Sequence, residues 1–409
     1  MSIEFHCPYR QANLLQQALS SNKMRIAFFL GAGCPVSIQM NDGSGSKPLI
    51  PDISKLTTMV YERLPTSSDL IEWYKQIVRR LESGGIPSPT IEDILSHIRS
   101  LREIVLNTSV DGLDKNALST LDVEICKLIT DIVKVDLPQT TTPYHQLANW
   151  VQGISRVYPI EIFTPNYDLL IEKALETNRV PYFDGFIGSN EAFFDLPSME
   201  TDELPARWTR LWKLHGSVNW WRIEKANGDY EIIRGSKAKS DSYQMIFPSH
   251  LKYDESRRLP YLAMLDRLRA FLAQGQAVLV TSGYSFNDQH LTEVLVNGLR
   301  SNPTAVCFGL LFGNRSSYTE ALSQARRQPN LSLLASDGAI VGTVERNWRE
   351  DEQPSHPMHG LSVCKDTTDN PADSSQKCKF LLGDFKSFGN FLAEQLADTQ
   401  EEQDINNEQ

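Results

Sequence analysis

Four short stretches of the chain put small, polar and titratable residues where apolar runs end. Gly31, Ala32 and Gly33 follow RIAFFL; Asn166 and Asp168 stand two apart in TPNYD after EIF; His215 precedes Gly216 and Ser217 in WKLHGSVNWW; and Ser282, Gly283 and Ser285 close VLVTSGYS. Glycines permit a tight turn and let the backbone come close to a diphosphate. An imidazole titrates near neutrality and can serve as a general base. Asn and Asp can orient a ligand or a water, and they are equally at home as helix caps. Singly, each stretch has a plain structural reading: a glycine turn, a cap, a core histidine. Ligands of open α/β sheets bind beyond the carboxyl ends of the strands, so four polar tips on one sheet would converge on one site.

The elements that must position these residues are legible as compact apolar runs bounded by Gly, Pro, Asn or Ser. Strands are expected at Arg25–Leu30, Val157–Thr164, Gln276–Ser282 and Thr304–Phe312. Between the first two, about residues 52–135, IEWYKQIVRRL, IEDILSHIRSLREIV and LDVEICKLITDIV carry apolar residues at helical spacing, separated by SGGIPSP and SVDGLDK. This block reads as a helical module inserted into a sheet domain. A further helix is expected over about 260–273. Alternation of buried strands and helices predicts an α/β class with a Rossmann-like parallel sheet. The expected organisation is a catalytic domain over 1–320, an extension over 321–397 with a mobile loop at 351–376, and a disordered acidic tail at 398–409.

Composition narrows the function classes. The 409 residues hold 40 Lys and Arg against 51 Asp and Glu, a net charge of −11, which speaks against direct nucleic-acid binding. No run approaches the roughly 18 apolar residues of a membrane span. Met24-Arg25 followed by IAFFLGAGC mimics a lipoprotein signal ending at Cys34, but its apolar stretch is short and a buried strand entering a turn explains the same letters. The six cysteines never form a CxxC pair, so neither a zinc ribbon nor a disulfide framework is indicated, and a cytoplasmic location is expected.

Taken in order, GAG, TPNYD, KLHGS and SGYS resemble the sirtuin family, whose corresponding elements read GAGxS, TQNID, a catalytic His before Gly, and a GTS-type turn. Ile50-Pro51-Asp52 is similar to the IPD of that family's nicotinamide loop, and TTTPYHQLANW to its PxxAHxxL helix start. The resemblance runs from about residue 24 to 315, with unmatched stretches between. It implies NAD as the ligand, with Gly31, Ala32 and Gly33 at the diphosphate and Ser282, Gly283 and Ser285 on the adenosine side. It also implies Asn166 at the nicotinamide ribose, Asp168 or Asp52 at the carboxamide, and His215 as the general base. Departures bear on the acceptor. No zinc module is present, Cys34 replaces the usual Ser or Ala, the loop Pro35–Leu49 is longer, and Ile53 stands where the deacylases have an aromatic residue. Without an acyl-lysine apparatus the simplest acceptor is water, which implies NAD hydrolysis to nicotinamide and ADP-ribose, with no zinc. Alternatives are a protein deacylase or ADP-ribosyltransferase that lost its zinc module, and a non-catalytic NAD or ADP-ribose sensor. Zinc-free relatives of this kind imply an oligomeric anti-phage effector partnered by a HerA-type ATPase, or, as second choice, by a short Argonaute protein.

Overall fold

The computed structural model describes residues 5–407 except 42, 44, 66–68, 106–107, 226–228, 236–241, 247–258, 349–354 and 366–377. Side chains of 224, 242–246 and 397–407 are also outside the description.

A nine-stranded sheet organises the chain. In chain order its strands are β1 (Arg25–Leu30), β2 (Glu161–Thr164), β3 (Tyr182–Phe183), β4 (Thr209–Lys213), β5 (Ala277–Ser282), β6 (Val306–Leu310), β7 (Leu331–Ala335), β8 (Gly338–Val341) and β9 (Val344–Asn347). Across the sheet they run β9-β8-β7-β6-β5-β1-β2-β4-β3. Strands β1 to β7 pair in parallel, and β8 and β9 fold back antiparallel at one edge. The order reverses at β1: the chain first builds outward through β2 and β4, then returns to add β5 on the other side. That reversal opens a crevice between the carboxyl ends of β1 and β5, where Leu30 and Ser282 are in register.

The principal helices are α1 (Pro8–Ser20), α2 (Ile53–Arg63), α3 (Leu70–Ser83), α4 (Ile91–Val105), α5 (Lys115–Val133), α6 (Pro143–Gly153), α7 (Leu170–Thr177), α8 (Tyr261–Ala273), α9 (Gln289–Ser301) and α10 (Phe385–Asn407). They cover both sheet faces, as a sheet buried on both sides requires. Phe28 and Leu30 point to the face carrying α1, α6, α10 and the helical module, while Ala27 and Phe29 point to the face carrying α8 and α9. Burying one such phenylalanine contributes on the order of 2–3 kcal/mol. The apparent signal segment is thus the central strand, buried from Ile26 onward. Among the described residues no helix is long and apolar enough to cross a membrane.

The module of residues 53–133 comprises α2 to α5. Tyr74, Ile77 and Leu81 form the buried stripe of α3. Arg99 on α4 donates to both oxygens of the buried Asp122 on α5, joined by Arg102 at 3.1 Å, so an ion-paired core pins the two helices together.

Three expectations change. The boundary at residue 320 cuts the sheet, because β7 pairs in parallel with β6 and carries β8 and β9 with it. The segment 398–409, expected to be disordered, continues α10 to Asn407; its Glu and Gln content favours helix once Phe388, Phe391 and Leu392 anchor the preceding turns. Of the loop 351–376, residues 355–365 are described and end in a short strand, Val363–Lys365, paired with Cys378–Phe380; the remainder lies outside the described residues. A further sheet had no counterpart in the sequence reading: five antiparallel segments between Phe186 and Ile246, of which Gly216–Glu224 begins directly after His215.

Candidate functional site

The glycine turns after β1 and β5 interlock through their backbones. Gly31 N donates to Ser282 O at 2.9 Å, Gly33 N to Gly283 O at 2.8 Å, and Cys34 N to Gly31 O at 3.1 Å. A β-carbon on Gly31 would lie 2.3 Å from Gly283 O, and one on Gly283 would lie 2.5 Å from Cys34 N. Gly283 also has φ +64°, a region that glycine occupies without penalty. Three of the four amides in this turn are therefore committed to holding it shut. Ala32 and Gly33 are exposed and line the adjoining cleft, whereas Gly31 is buried, so the surface this turn offers to the cleft is the Ala32–Gly33 edge rather than all three residues.

That cleft has a volume of about 1210 Å³. Pockets for small-molecule ligands usually span roughly 300–1,000 Å³, so a dinucleotide has room here. Its floor is Ala32, Gly33, Gly283, Tyr284 and Ser285, and one wall is the loop Val36–Asn41 with Asp52 and Ile53. The opposite wall is the start of α6 (Thr140–Pro143) and Gly383–Lys386 at the start of α10. The carboxyl-terminal part of the chain thus belongs to the site. Gly383 permits this approach, since a β-carbon there would sit 1.9 Å from Leu311 O. Thr142 begins α6 with a capping box in which His145 takes the third helical position, and Pro143 the first.

Two of the expected ligand residues are withdrawn from the cleft. Ser282 is fully buried, its hydroxyl has no hydrogen-bond partner among the described residues, and its carbonyl accepts from Gly31 N and from the Cys34 thiol. Ser282 is the last residue of β5, a strand buried at every position, and it is not among the residues lining the cleft. Asp168 is likewise buried; its Oδ1 accepts from Leu170 N, starting α7, and burial pushes its carboxyl above the ordinary range. Asp52 is the carboxylate that stays at the cleft: it is exposed and caps α2 through Lys55 N at 2.9 Å. Ser285 also remains there, accepting from Asn287 N. Cys34 is no nucleophile, being fully buried with its thiol pushed far above the ordinary range.

Asn166 and His215 form a second corner of the site, at the carboxyl ends of β2 and β4. Asn166 Nδ2 donates to Gly31 O at 3.1 Å, tying this corner to the glycine turn. Its own amide donates to Thr164 Oγ1, which in turn donates to Leu30 O at 2.7 Å. Neither Asn166 nor His215 lines the large cleft; they adjoin it through Gly31 and through the Ser285–Asp288 turn. His215 is 12 % exposed, and its Nε2 lies 3.3 Å from Oδ2 of Asp288. The other oxygen of Asp288 accepts from Leu291 N and caps α9. With the proton assigned to Nε2 facing the carboxylate, the lone pair of the neutral ring is on Nδ1.

Asp288 escaped the sequence reading. The signal was present in SFNDQHLTE, where a helix cap follows the fourth polar tip by three residues, but a cap alone names no second duty. Lys213 was missed too. It is 1 % exposed, donates to the carbonyl of Asp168, and pairs with Glu172 at 3.1 Å. It therefore holds the TPNYD loop against the strand that presents His215. Tyr167, from the same loop, donates to Glu92 on α4 at 3.0 Å and links the loop to the helical module.

Residues 160–333 match the SIR2-like domain. No curated protein matches the chain. Among solved structures, one titled "Structural Basis for the Mechanism and Regulation of Sir2 Enzymes" is similar with a TM-score of 0.33 at 11 % identity, covering 75 % of this chain and 86 % of that one.

Proposed function

We propose that the chain hydrolyses NAD at the bond between nicotinamide and ribose, giving nicotinamide and ADP-ribose. The observation that carries this reading is the pairing of His215 with Asp288 beside an interlocked glycine crevice at the sheet's switch point. NAD supplies the labile nicotinamide–ribose bond and water the acceptor, so one molecule of water is consumed and one proton released per turnover. Ala32 and Gly33 face the diphosphate, with Gly283 and Ser285 toward the adenosine. Asp52, the one of the two expected carboxylates that is exposed at the cleft, meets the carboxamide, and the buried Asp168 braces the loop instead. Asn166 orients the ribose and the attacking water from its anchor on Gly31 O. His215 takes the proton at Nδ1, while Asp288 fixes the ring and stabilises the imidazolium that results, a task generally worth 10²–10⁴-fold in rate.

The chain's departures from acyl-lysine enzymes favour water as acceptor. On this reading the protein is a cytoplasmic NAD-depleting effector that works as an oligomer and is released by a HerA-type ATPase partner, as anti-phage systems employ. The decisive experiment incubates the purified chain, alone and with that partner, with NAD, in the presence and absence of an acyl-lysine peptide. Free nicotinamide and ADP-ribose are followed. Hydrolysis predicts equimolar release of both without peptide, and a loss of about 100-fold or more in Asn166→Ala and in His215→Ala. Release that requires the peptide and yields an acylated ADP-ribose would point to a deacylase. Undiminished release in both variants would remove the assigned site.

A further inference from the structure

We propose that the helical module carries a second ligand site, for the phosphate of a small nucleotide or for free phosphate, in a recess between α3 and α4. The recess is a shallow, open depression of about 550 Å³ and shares no residue with the cleft at the glycine turns. Gln76, Arg79, Arg80 and Ser83 line it from α3, His97 from α4, and Asp111 from the loop before α5. The four α3 residues stand at positions i, i+3, i+4 and i+7, one stripe of the helix, and it is polar where the neighbouring stripe of Tyr74, Ile77 and Leu81 is the buried apolar one.

Three polar atoms of these residues are buried with no hydrogen-bond partner among the described residues: Arg80 Nε, His97 Nε2 and Gln76 Oε1. Such groups are rare in folded proteins and call for an ion or water that completes them. Here all three belong to residues that line one recess, and the charge is cationic. Two guanidinium groups face a single carboxylate, Asp111, whose Oδ2 pairs with Nη1 of Arg80 and leaves its Nε unused. This local excess stands out in a chain of net charge −11. A phosphate presents several acceptor oxygens at once, matching the Arg80 Nε–H, a protonated His97 and the Gln76 amide turned to offer its NH₂. Burial and the charge of Arg80 hold the His97 imidazole below its ordinary range, so the ring is neutral until an anion arrives. The volume exceeds what one phosphate fills and leaves room for a nucleoside.

The test reads His97 directly. The full-length chain is labelled at histidine Cε1, and the His97 resonance is assigned by its loss in His97→Gln. Inorganic phosphate, ADP and chloride are each titrated at constant ionic strength and pH. Phosphate, ADP or both should shift the His97 resonance saturably toward the protonated position, while chloride does not. A response to phosphate alone or equally to both identifies the phosphate group as sufficient, and a response to ADP alone identifies a nucleotide. In Arg80→Gln the half-saturating concentration should rise at least about tenfold, with His145 unchanged. A His97 resonance that moves with neither phosphate nor ADP, or equally with chloride, overturns the site. So does saturation in Arg80→Gln at the wild-type concentration. Because His97 lies outside the glycine cleft, occupancy there leaves this readout untouched, and the result stands apart from the fate of the NAD reading.

Discussion

The two corners of the candidate site are built on opposite principles. At the glycine turns, backbone meets backbone: Gly31 and Gly283 approach so closely that neither can carry a β-carbon, and the geometry is set by what is missing. At the His215 corner, side chains do the holding. Asp288 faces the ring, Asn166 reaches Gly31 O, and the buried Lys213 ties the Asn166 loop to β4 through Asp168 O and Glu172. The lesson is about failure. The first corner should be lost to any added atom, while the second should degrade in steps, one contact at a time.

Lys213→Met tests the second corner hardest. It leaves Glu172 buried without its cation, and breaking a buried pair in this way costs about 3–5 kcal/mol; denaturant unfolding measures it. The pH dependence has a definite sign. Burial already raises the carboxyls of Asp168 and Glu172, and removal of Lys213 raises them further. A carboxyl raised in the fold contributes stability below its unfolded value and loses it as pH rises through the folded one. The variant should therefore lose most stability toward neutral pH and recover part of it near pH 5.

Gly283→Ala tests the first corner. The positive φ and the 2.5 Å approach to Cys34 N together should cost about 2–3 kcal/mol and weaken nucleotide binding, read by unfolding and by calorimetry with ADP-ribose. Binding that survives unchanged would break the contrast between the corners. Asp288→Asn keeps a good helix cap but removes the charge opposite His215. NAD turnover should fall about tenfold, near 1.4 kcal/mol of transition-state stabilisation, with the unfolding midpoint nearly unmoved. Tyr167→Phe deletes one hydrogen bond to Glu92 and should cost about 1 kcal/mol of stability.

The same contrast explains what could be read in the sequence. Strands β1, β5 and β6 are largely apolar on both faces and announce themselves, as does the run that ends in β2, and glycines after β1 and β5 mark the crevice. Strand β4 does not, because it carries Arg210 and Lys213, each 1 % exposed. Arg210 is satisfied by Asp202 and by the carbonyls of Leu204, Pro205 and Trp208, none of which a local pattern foretells. The boundary drawn at residue 320 followed the last recognised motif rather than the sheet, which takes three more strands. Burial of Ser282 was invisible for a different reason: the expected strand Gln276–Ser282 ends where β5 ends, but its letters do not say whether the last side chain faces the cleft or the interior.

The borders of the large sheet bear on how copies of the chain can associate. Strand β3 ends one border after two residues. Strand β9 forms the other, but its outer side is already occupied: His6 N donates to Asn347 O, and His6 Nε2 lies 2.9 Å from Val344 O. Arg315 and Arg326 further clamp Glu345 within it. An incoming strand would find two acceptors of β9 already taken and few positions to pair with at β3. Another strand could add at β9 only by displacing His6 from Asn347 O and Val344 O, so the amino-terminal residues act as a seal on that border.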